Sequence, residues 1–312
     1  MAAINKLHST AVIGTNSWGS AAYETLLRGS SVDEDTLRAA MRTAKECGLE
    51  IYDLAQDYGF GKAQKMIGKF GTQDICLSAK YTPLSAYRPG CVRKSLEKDL
   101  QDFRREYVDI YWLHLPTDIE QNLKEIIELA KEGKIRHIGV SNFNLAECKQ
   151  AQKILADAGL SLYGVQNHYS LLAREWERND LLAWCKENAV SFWGWAVLEE
   201  GLLVDPRIKT KGTLMKVIFN RQKRKMQVLY QTMIEISETH GITVPQVAIA
   251  FCANKGVVPI CGCRKPKQVK ELAQAAEMKF STEEMMRLEA AADCTGAKVL
   301  GADMFRAFVR KK

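Results

Sequence analysis

Two rhythms of apolar residues alternate along the chain. Short, nearly continuous apolar runs recur as TAVIG, LEIYDLA, DICLSAKY, YVDIYWLHLP, IRHIGVSNF, LYGVQNHYS, SFWGWAVL and GVVPICGC. Between them lie longer stretches in which apolar residues return every three or four positions, such as SVDEDTLRAAMRTAKECG, GCVRKSLEKDLQDF, IEQNLKEIIELAKEG and NLAECKQAQKILADAG. The first kind predicts strands buried on both faces, the second amphipathic helices. Ser31 and Asp33 open one helix and Gly48 stops it, and Gly133 closes another. Further helices are expected over 61–70, WERNDLLAWCKENA, MQVLYQTMIEISETHG and KPKQVKELAQAA.

Eight strands, each followed by helical material across a short link, predict an α/β fold with an all-parallel sheet closed into a (β/α)8 barrel. An open, doubly wound sheet is the competitor. It would want a G-x-G-x-x-G turn after the first strand to seat a dinucleotide, and GTNSWGS offers only Gly14 and Gly19. No lysine follows Gly19, which excludes a nucleoside-triphosphate loop as well. The span from about 199 to 225 lacks either rhythm and reads as a long loop after the seventh strand. No domain boundary interrupts the pattern, so residues 1–312 are expected to form a single barrel with a C-terminal tail from about 295.

Composition narrows the setting. The chain is 46% hydrophobic and 26% charged, an ordinary globular balance, and no apolar run approaches the roughly 20 residues of a membrane span. The opening MAAINKLHSTAVIG lacks the charged, apolar and cleavable regions of a secretory signal. Nine scattered cysteines without a C-x-x-C pair point to reduced, buried thiols, a cytoplasmic location and no metal site. The net charge of +7 is partly gathered in KTKGTLMKVIFNRQKRKMQ and the terminal RKK. Without interleaved aromatic platforms or a DNA-binding motif, this argues against nucleic acid and for a solvated helix face or attraction of a phosphorylated small molecule. The oligomeric state stays open.

Candidate chemistry sits where the apolar runs end. In a barrel, loops converge at the C-terminal ends of the strands, and there the chain places Asp53, Lys80 and His114, with Tyr58 five residues after the aspartate. Each residue alone has a bland reading as a structural group; three consecutive strand ends of this kind are harder to explain by packing. A tyrosine hydroxyl, with a pKa of about 10, is a weak acid at neutral pH. A lysine ammonium beside it favours the phenolate, an aspartate holds the lysine, and a neutral histidine can orient a carbonyl oxygen. This is apparatus for protonating the alkoxide left by hydride addition to a carbonyl, and hydride requires a nicotinamide cofactor. Tyr58 and Lys62 also stand in the Tyr-x-x-x-Lys spacing of a different oxidoreductase family, but Lys62 falls in the next helix.

The segment YDLAQDYGFGKAQKMIG resembles the Asp-x-x-x-x-Tyr-Gly segment of the aldo-keto reductases, and the likeness extends over nearly the whole chain. The resemblance implies an NADP-dependent reductase of aldehydes or ketones in which Asp53, Tyr58, Lys80 and His114 form the catalytic tetrad. It further implies that Ser141 and Asn142 of GVSNF and Gln166 of VQNHYS hold the nicotinamide carboxamide, and that Trp195 stacks on its ring. Thr15 joins the cofactor contacts, and Leu198 and Gly201 line the pyrophosphate. Ala196 and Val197 stand where the family commonly has Ser-Pro, a change expected to loosen that loop. By the same likeness Gly262 lets the backbone approach a phosphate, Arg264 and Gln268 receive the adenosine 2′-phosphate, and Glu271 meets the adenine. Arg264 and Lys265, with no acidic residue just after Gly262, favour NADPH over NADH.

Trp18, Phe60, Tyr81, Tyr87, Trp112 and His168 are the aromatic candidates for the pocket, with Trp18 and Tyr81 expected as substrate walls. Such a mouth would suit apolar or aromatic carbonyls. The C-terminal tail either folds back over it through Met304 and Phe305 or is frayed. Two other readings fit the resemblance: an NAD(P)-dependent alcohol dehydrogenase acting on sugars or cyclitols, and a nucleotide-sensing regulatory subunit like the potassium-channel β-subunits.

Overall fold

Every strand pairs in parallel with its neighbours in chain order, and the last closes on the first. The strands are β1 Val12–Gly14, β2 Ile51–Asp53, β3 Cys76–Tyr81, β4 Val108–Leu113, β5 Ile135–Ser141, β6 Leu162–His168, β7 Ser191–Trp195 and β8 Val258–Gly262. Gly14 lies opposite both Asp53 and Gly262, so β1 joins the two ends of the sheet. This computed structural model describes residues 9–19, 25, 31–59, 61–204, 206–207, 222–297 and 299. Most of the long loop expected after β7 therefore lies outside the described residues, as do Phe60, Met304 and Phe305. No helix among the described residues is long and apolar enough to cross a membrane.

Helices follow the strands around the outside: α1 Glu34–Glu46, α2 Ala63–Phe70, α3 Cys91–Phe103, α4 Ile119–Lys131 and α5 Leu145–Asp157 in the first half. The second half carries α6 Glu175–Arg178, α7 Leu181–Glu187, α8 Gln227–His240, α9 Val244–Asn254, α10 Pro266–Glu277 and α11 Thr282–Asp293. The starts are where sequence chemistry puts them. Asp33 accepts from Thr36 N–H at 2.7 Å, and Asn144 and Glu147 exchange bonds in a capping box at the head of α5.

Three departures from the sequence reading have physical causes. The single helix expected over WERNDLLAWCKENA is split, because Asp180 adopts a left-handed conformation (φ 64°) between α6 and α7. Helix α9 gave no amphipathic signal because nearly every side chain in it is buried; Pro245 in its first turn and the Gln246 cap on Thr243 N–H at 2.9 Å start it. Helix α11 is marked only by the Ser281/Glu284 capping box.

The core has two compartments. Val12, Ile51, Cys76, Ile110, Trp112, Trp193 and Ile260 fill the barrel, and a larger set packs the strands against the helices. Trp112 and Trp193 meet with ring centroids 4.9 Å apart. Each such tryptophan removes on the order of 200 Å² from water, roughly 5 kcal/mol of hydrophobic stabilisation. Gly139 makes room for them: a Cβ there would stand 2.3 Å from the Trp112 ring. The tryptophans plug the barrel's middle and leave its C-terminal end to polar residues.

Candidate active site

Alternate residues of a strand face alternate sides, so in β3 Cys76, Ser78 and Lys80 point into the barrel while Tyr81 points out. Asp53 lies opposite Ser78, and Lys80 opposite Trp112, which brings the ends of β2, β3 and β4 to one level. Lys80 is wholly buried, 0% exposed, and its Nζ lies 2.5 Å from Asp53 Oδ2, 3.1 Å from the Leu54 carbonyl and 3.1 Å from Tyr58 Oη. Tyr58 Oη reaches Asp53 Oδ2 at 3.3 Å. The phenol thus meets Lys80, while Lys62 sits at the start of α2. Burial pulls the Lys80 ammonium below its usual range, and the Asp53 carboxylate opposes that pull.

The turn that carries Tyr58 is held by Gly59. Its φ is +58°, its N–H donates to the Asn16 carbonyl at 3.0 Å, and a Cβ there would stand 1.8 Å from the Trp18 carbonyl oxygen. Only glycine lets the β2–α2 loop press this closely on the β1–α1 loop.

His114 follows β4 and completes the group. Its Nδ1 and Thr82 Oγ1 are 2.7 Å apart, and Asn142 Nδ2 donates to its carbonyl at 3.0 Å. Burial, helped by the Lys80 charge, pushes the imidazole down to about 3, so it is neutral at physiological pH.

The expected cofactor residues gather on the same rim. Ser141 and Asn142 close β5, joined by a 3.1 Å bond, and Asn142 takes a left-handed φ of 63°. Gln166 of β6 donates to Asp53 Oδ1 at 2.9 Å. Trp195 ends β7 half-buried, with His168 stacked against it at 4.7 Å and 21°. Leu198 and Gly201 flank a short turn, Gly201 with φ 100°. Gly262 ends β8 exposed, with open space where a Cβ would stand. Gln268 Oε1 accepts from the Arg264 and Lys265 N–H groups at 2.8 and 3.1 Å, so its amide caps the entry to α10. Glu271, one turn on, faces Lys267 at 3.8 Å. Thr15 is buried, and its hydroxyl donates to the Asp53 carbonyl at 2.8 Å, tying β1 to β2.

The two substrate walls expected from sequence stand elsewhere. Trp18 is 0% exposed, its Nε1 donates to the Cys263 carbonyl at 3.0 Å, and its ring packs edge-on against Tyr52. It belongs to the core between loop and barrel. Tyr81 faces the helix layer because its neighbour Lys80 faces inward, and its hydroxyl meets Cys91 Sγ at 3.0 Å. Trp112 lies deep in the barrel and His168 is buried behind Trp195, so neither lines a mouth.

Sequence reasoning passed over Ser78, whose hydroxyl donates to Asp53 Oδ1 at 3.3 Å and accepts from Trp112 Nε1 at 2.7 Å. Its position two before Lys80 was the available signal. It also passed over Thr82, and Glu199, whose carboxylate is buried against His168 at 2.8 Å.

Known proteins share this arrangement's framework. A pyridoxal reductase of the Arabidopsis thaliana chloroplast is 26% identical over 304 residues, spanning 89% of this chain and 82% of its own. A thermostable aldo-keto reductase, solved with the inhibitor epalrestat, is 27% identical with a TM-score of 0.72 and covers 91% of this chain and 95% of its own. An aldo/keto reductase from Klebsiella pneumoniae, solved with NADP and acetate, is 25% identical with a TM-score of 0.71 over 90% of both chains. The model of the aldo/keto reductase family matches residues 11–293, almost all of the barrel. The chain therefore belongs to the aldo/keto reductase family of oxidoreductases.

Proposed function

We propose that this protein reduces an aldehyde or ketone to an alcohol with NADPH, using Tyr58 as general acid. The observation that carries the reading is the contact of one buried ammonium, Lys80 Nζ, with both Asp53 Oδ2 and Tyr58 Oη. The coenzyme, when bound, supplies the hydride that no side chain can. The rim fits such a group. Ser141, Asn142 and Gln166 offer amide and hydroxyl partners for a carboxamide, and Trp195 offers a flat face for a ring. Thr15, Leu198 and Gly201 support the cofactor as second-rank neighbours. Gly262, with open space at its Cα, lets a phosphate approach the backbone, and Arg264 with Lys265 supplies cations for a 2′-phosphate. Gln268 shapes that loop through its cap, and Glu271 stands one turn further along the same helix toward the adenine.

Within the tetrad each residue has a separate task. Lys80 stabilises the phenolate left when Tyr58 gives up its proton, and Asp53 keeps the ammonium in place. Tyr58 Oη passes its proton to the alkoxide oxygen as the carbonyl carbon is reduced. His114, neutral because burial holds it near 3, donates a hydrogen bond through Nε2 to the same oxygen while Nδ1 is held by Thr82. The alcohol direction uses the same groups in reverse. The scattered, mostly buried cysteines support a reducing, cytoplasmic setting.

The test is NADPH consumption by wild type and Tyr58→Phe over aromatic, aliphatic and sugar carbonyls. Pyridoxal is included because a relative is named for reducing it. A loss of about a hundredfold or more in the mutant, with NADPH binding retained, is the expected contribution of a general acid. Equal turnover by the two proteins would remove Tyr58 from the chemistry.

A further inference from the structure

Behind the candidate stacking tryptophan the chain builds a polar anchor that the tetrad does not use. Glu199 is 6% exposed and His168 2% exposed, yet their side chains meet through Oε1 and Nε2 at 2.8 Å. Ser170 Oγ donates to the same carboxylate oxygen and itself accepts from the Leu172 and Ala173 N–H groups, both at 3.0 Å. Trp176 Nε1 holds the His168 carbonyl at 2.8 Å. The imidazole so fixed lies flat on Trp195, centroids 4.7 Å apart and planes within 21°.

The backbone between Trp195 and Gly201 is unusual. Ala196, Glu199, Glu200 and Gly201 all have positive φ, at 57°, 46°, 54° and 100°. Three of these four carry side chains that disfavour the left-handed region, so the turn persists only where something else over-determines it. The Glu199 N–H bond to the Ala196 carbonyl at 2.7 Å and the Leu203 N–H bond to the Leu198 carbonyl at 3.1 Å close the turn. The buried Glu199 carboxylate fastens it to β6. A turn without proline at position 197, expected to be loose, is tied down by a side chain instead.

We propose that Glu199, acting through His168 and Ser170, is a positioning residue for the cofactor: it fixes the Trp195 ring and the following turn in the geometry that receives the nicotinamide and pyrophosphate. The inference rests on Trp195 being the stacking residue, and the experiment separates the two. NADPH affinity is measured by titration calorimetry for wild type, Glu199→Ala, Glu199→Gln, Trp195→Ala and the Trp195→Ala/Glu199→Ala double variant, each checked for folding by thermal melt. Ser170→Ala is a milder change that loosens the same carboxylate.

Glu199→Ala should weaken NADPH about tenfold, the scale of one lost aromatic stack. Glu199→Gln keeps the shape and the hydrogen bonds and should bind no more weakly than wild type. The double variant should lose less than the sum of the two single losses, because the anchor works in part through that ring. Glu199→Ala binding as well as or better than wild type would overturn the anchor, as would full additivity with Trp195→Ala. If Trp195→Ala itself leaves affinity unchanged, the stacking role of Trp195 fails. A weakened Ser170→Ala variant that still folds keeps the test decisive where Glu199→Ala melts below the assay temperature.

Discussion

Replacing Lys80 with methionine removes a charge from the centre of the site and keeps the volume of the side chain. Its consequences can be worked out from the distances. An ammonium and a phenolate 3.1 Å apart attract by about 5 kcal/mol at an effective dielectric near 20. If Lys80 supplies that attraction as Tyr58 ionises, its loss slows reduction by three to four powers of ten, the upper part of what general acids contribute. Stability should fall as well. Asp53 would remain buried beside the neutral partners Tyr58, Ser78 and Gln166 without its cation, and breaking a buried pair from one side costs about 3–5 kcal/mol. Removing both charges is milder, so Asp53→Asn/Lys80→Met should recover much of the loss in urea unfolding while remaining as inactive as the single variant. Steady-state turnover and unfolding midpoints for the three proteins decide the matter. Turnover by Lys80→Met within tenfold of wild type would refute the reasoning about the phenolate, and unfolding unchanged from wild type would refute the reasoning about the pair.

Other perturbations read different parts of the site. The folded-state value of His114 is pushed below its unfolded one, so its contribution to stability is present above about 6.5 and is lost as pH falls toward 3; from pH 7 to pH 5 that amounts to about 2 kcal/mol. Urea midpoints should show the slope in wild type and a flatter profile in His114→Asn. Gly59→Ala forces a Cβ to 1.8 Å from the Trp18 carbonyl at positive φ, so the loop carrying Tyr58 must shift; about 1–3 kcal/mol of stability and most of the turnover should be lost together. Arg264→Ala should raise the KM for NADPH about tenfold or more and leave that for NADH nearly unchanged, since a charged hydrogen bond contributes about 1.5–3 kcal/mol. An equal effect on both coenzymes would place Arg264 away from the 2′-phosphate.

Parts of this site were legible in the chain because they violate its rhythm. Asp53, Lys80 and His114 stand at the ends of runs that packing alone would finish with apolar residues, and Tyr58 follows at a fixed short distance. The barrel was legible for the same reason, in the regular return of strand and helix. What escaped was settled by parity and by register. Tyr81 looked like a pocket residue because it is aromatic and adjacent to Lys80, yet adjacency in a strand sends it to the opposite face. Trp18 lies in a loop at the correct end of the barrel, but its indole finds the buried Cys263 carbonyl just after β8, 245 residues away in sequence. Helix α9 is covered on every side and so shows no amphipathic period. Local sequence carries period and punctuation, and it does not carry which distant strand end comes to face a given side chain.

The bond between Gln166 and Asp53 illustrates the point and bears on mechanism. The two residues are 113 positions apart, and closure of the barrel brings the ends of β2 and β6 within 2.9 Å. Asp53 uses both oxygens fully: Oδ2 serves Lys80 and Tyr58, and Oδ1 accepts from Ser78 and Gln166. The carboxylate opposes the pull of burial on the Lys80 ammonium. Gln166 binds Asp53 through its amide nitrogen and, on the proposed reading, also borders the cofactor. On that reading, the seat for the nicotinamide and the ammonium beside Tyr58 share one support. If so, a change at Gln166 should be felt at Lys80 and Tyr58, because one buried carboxylate touches all three.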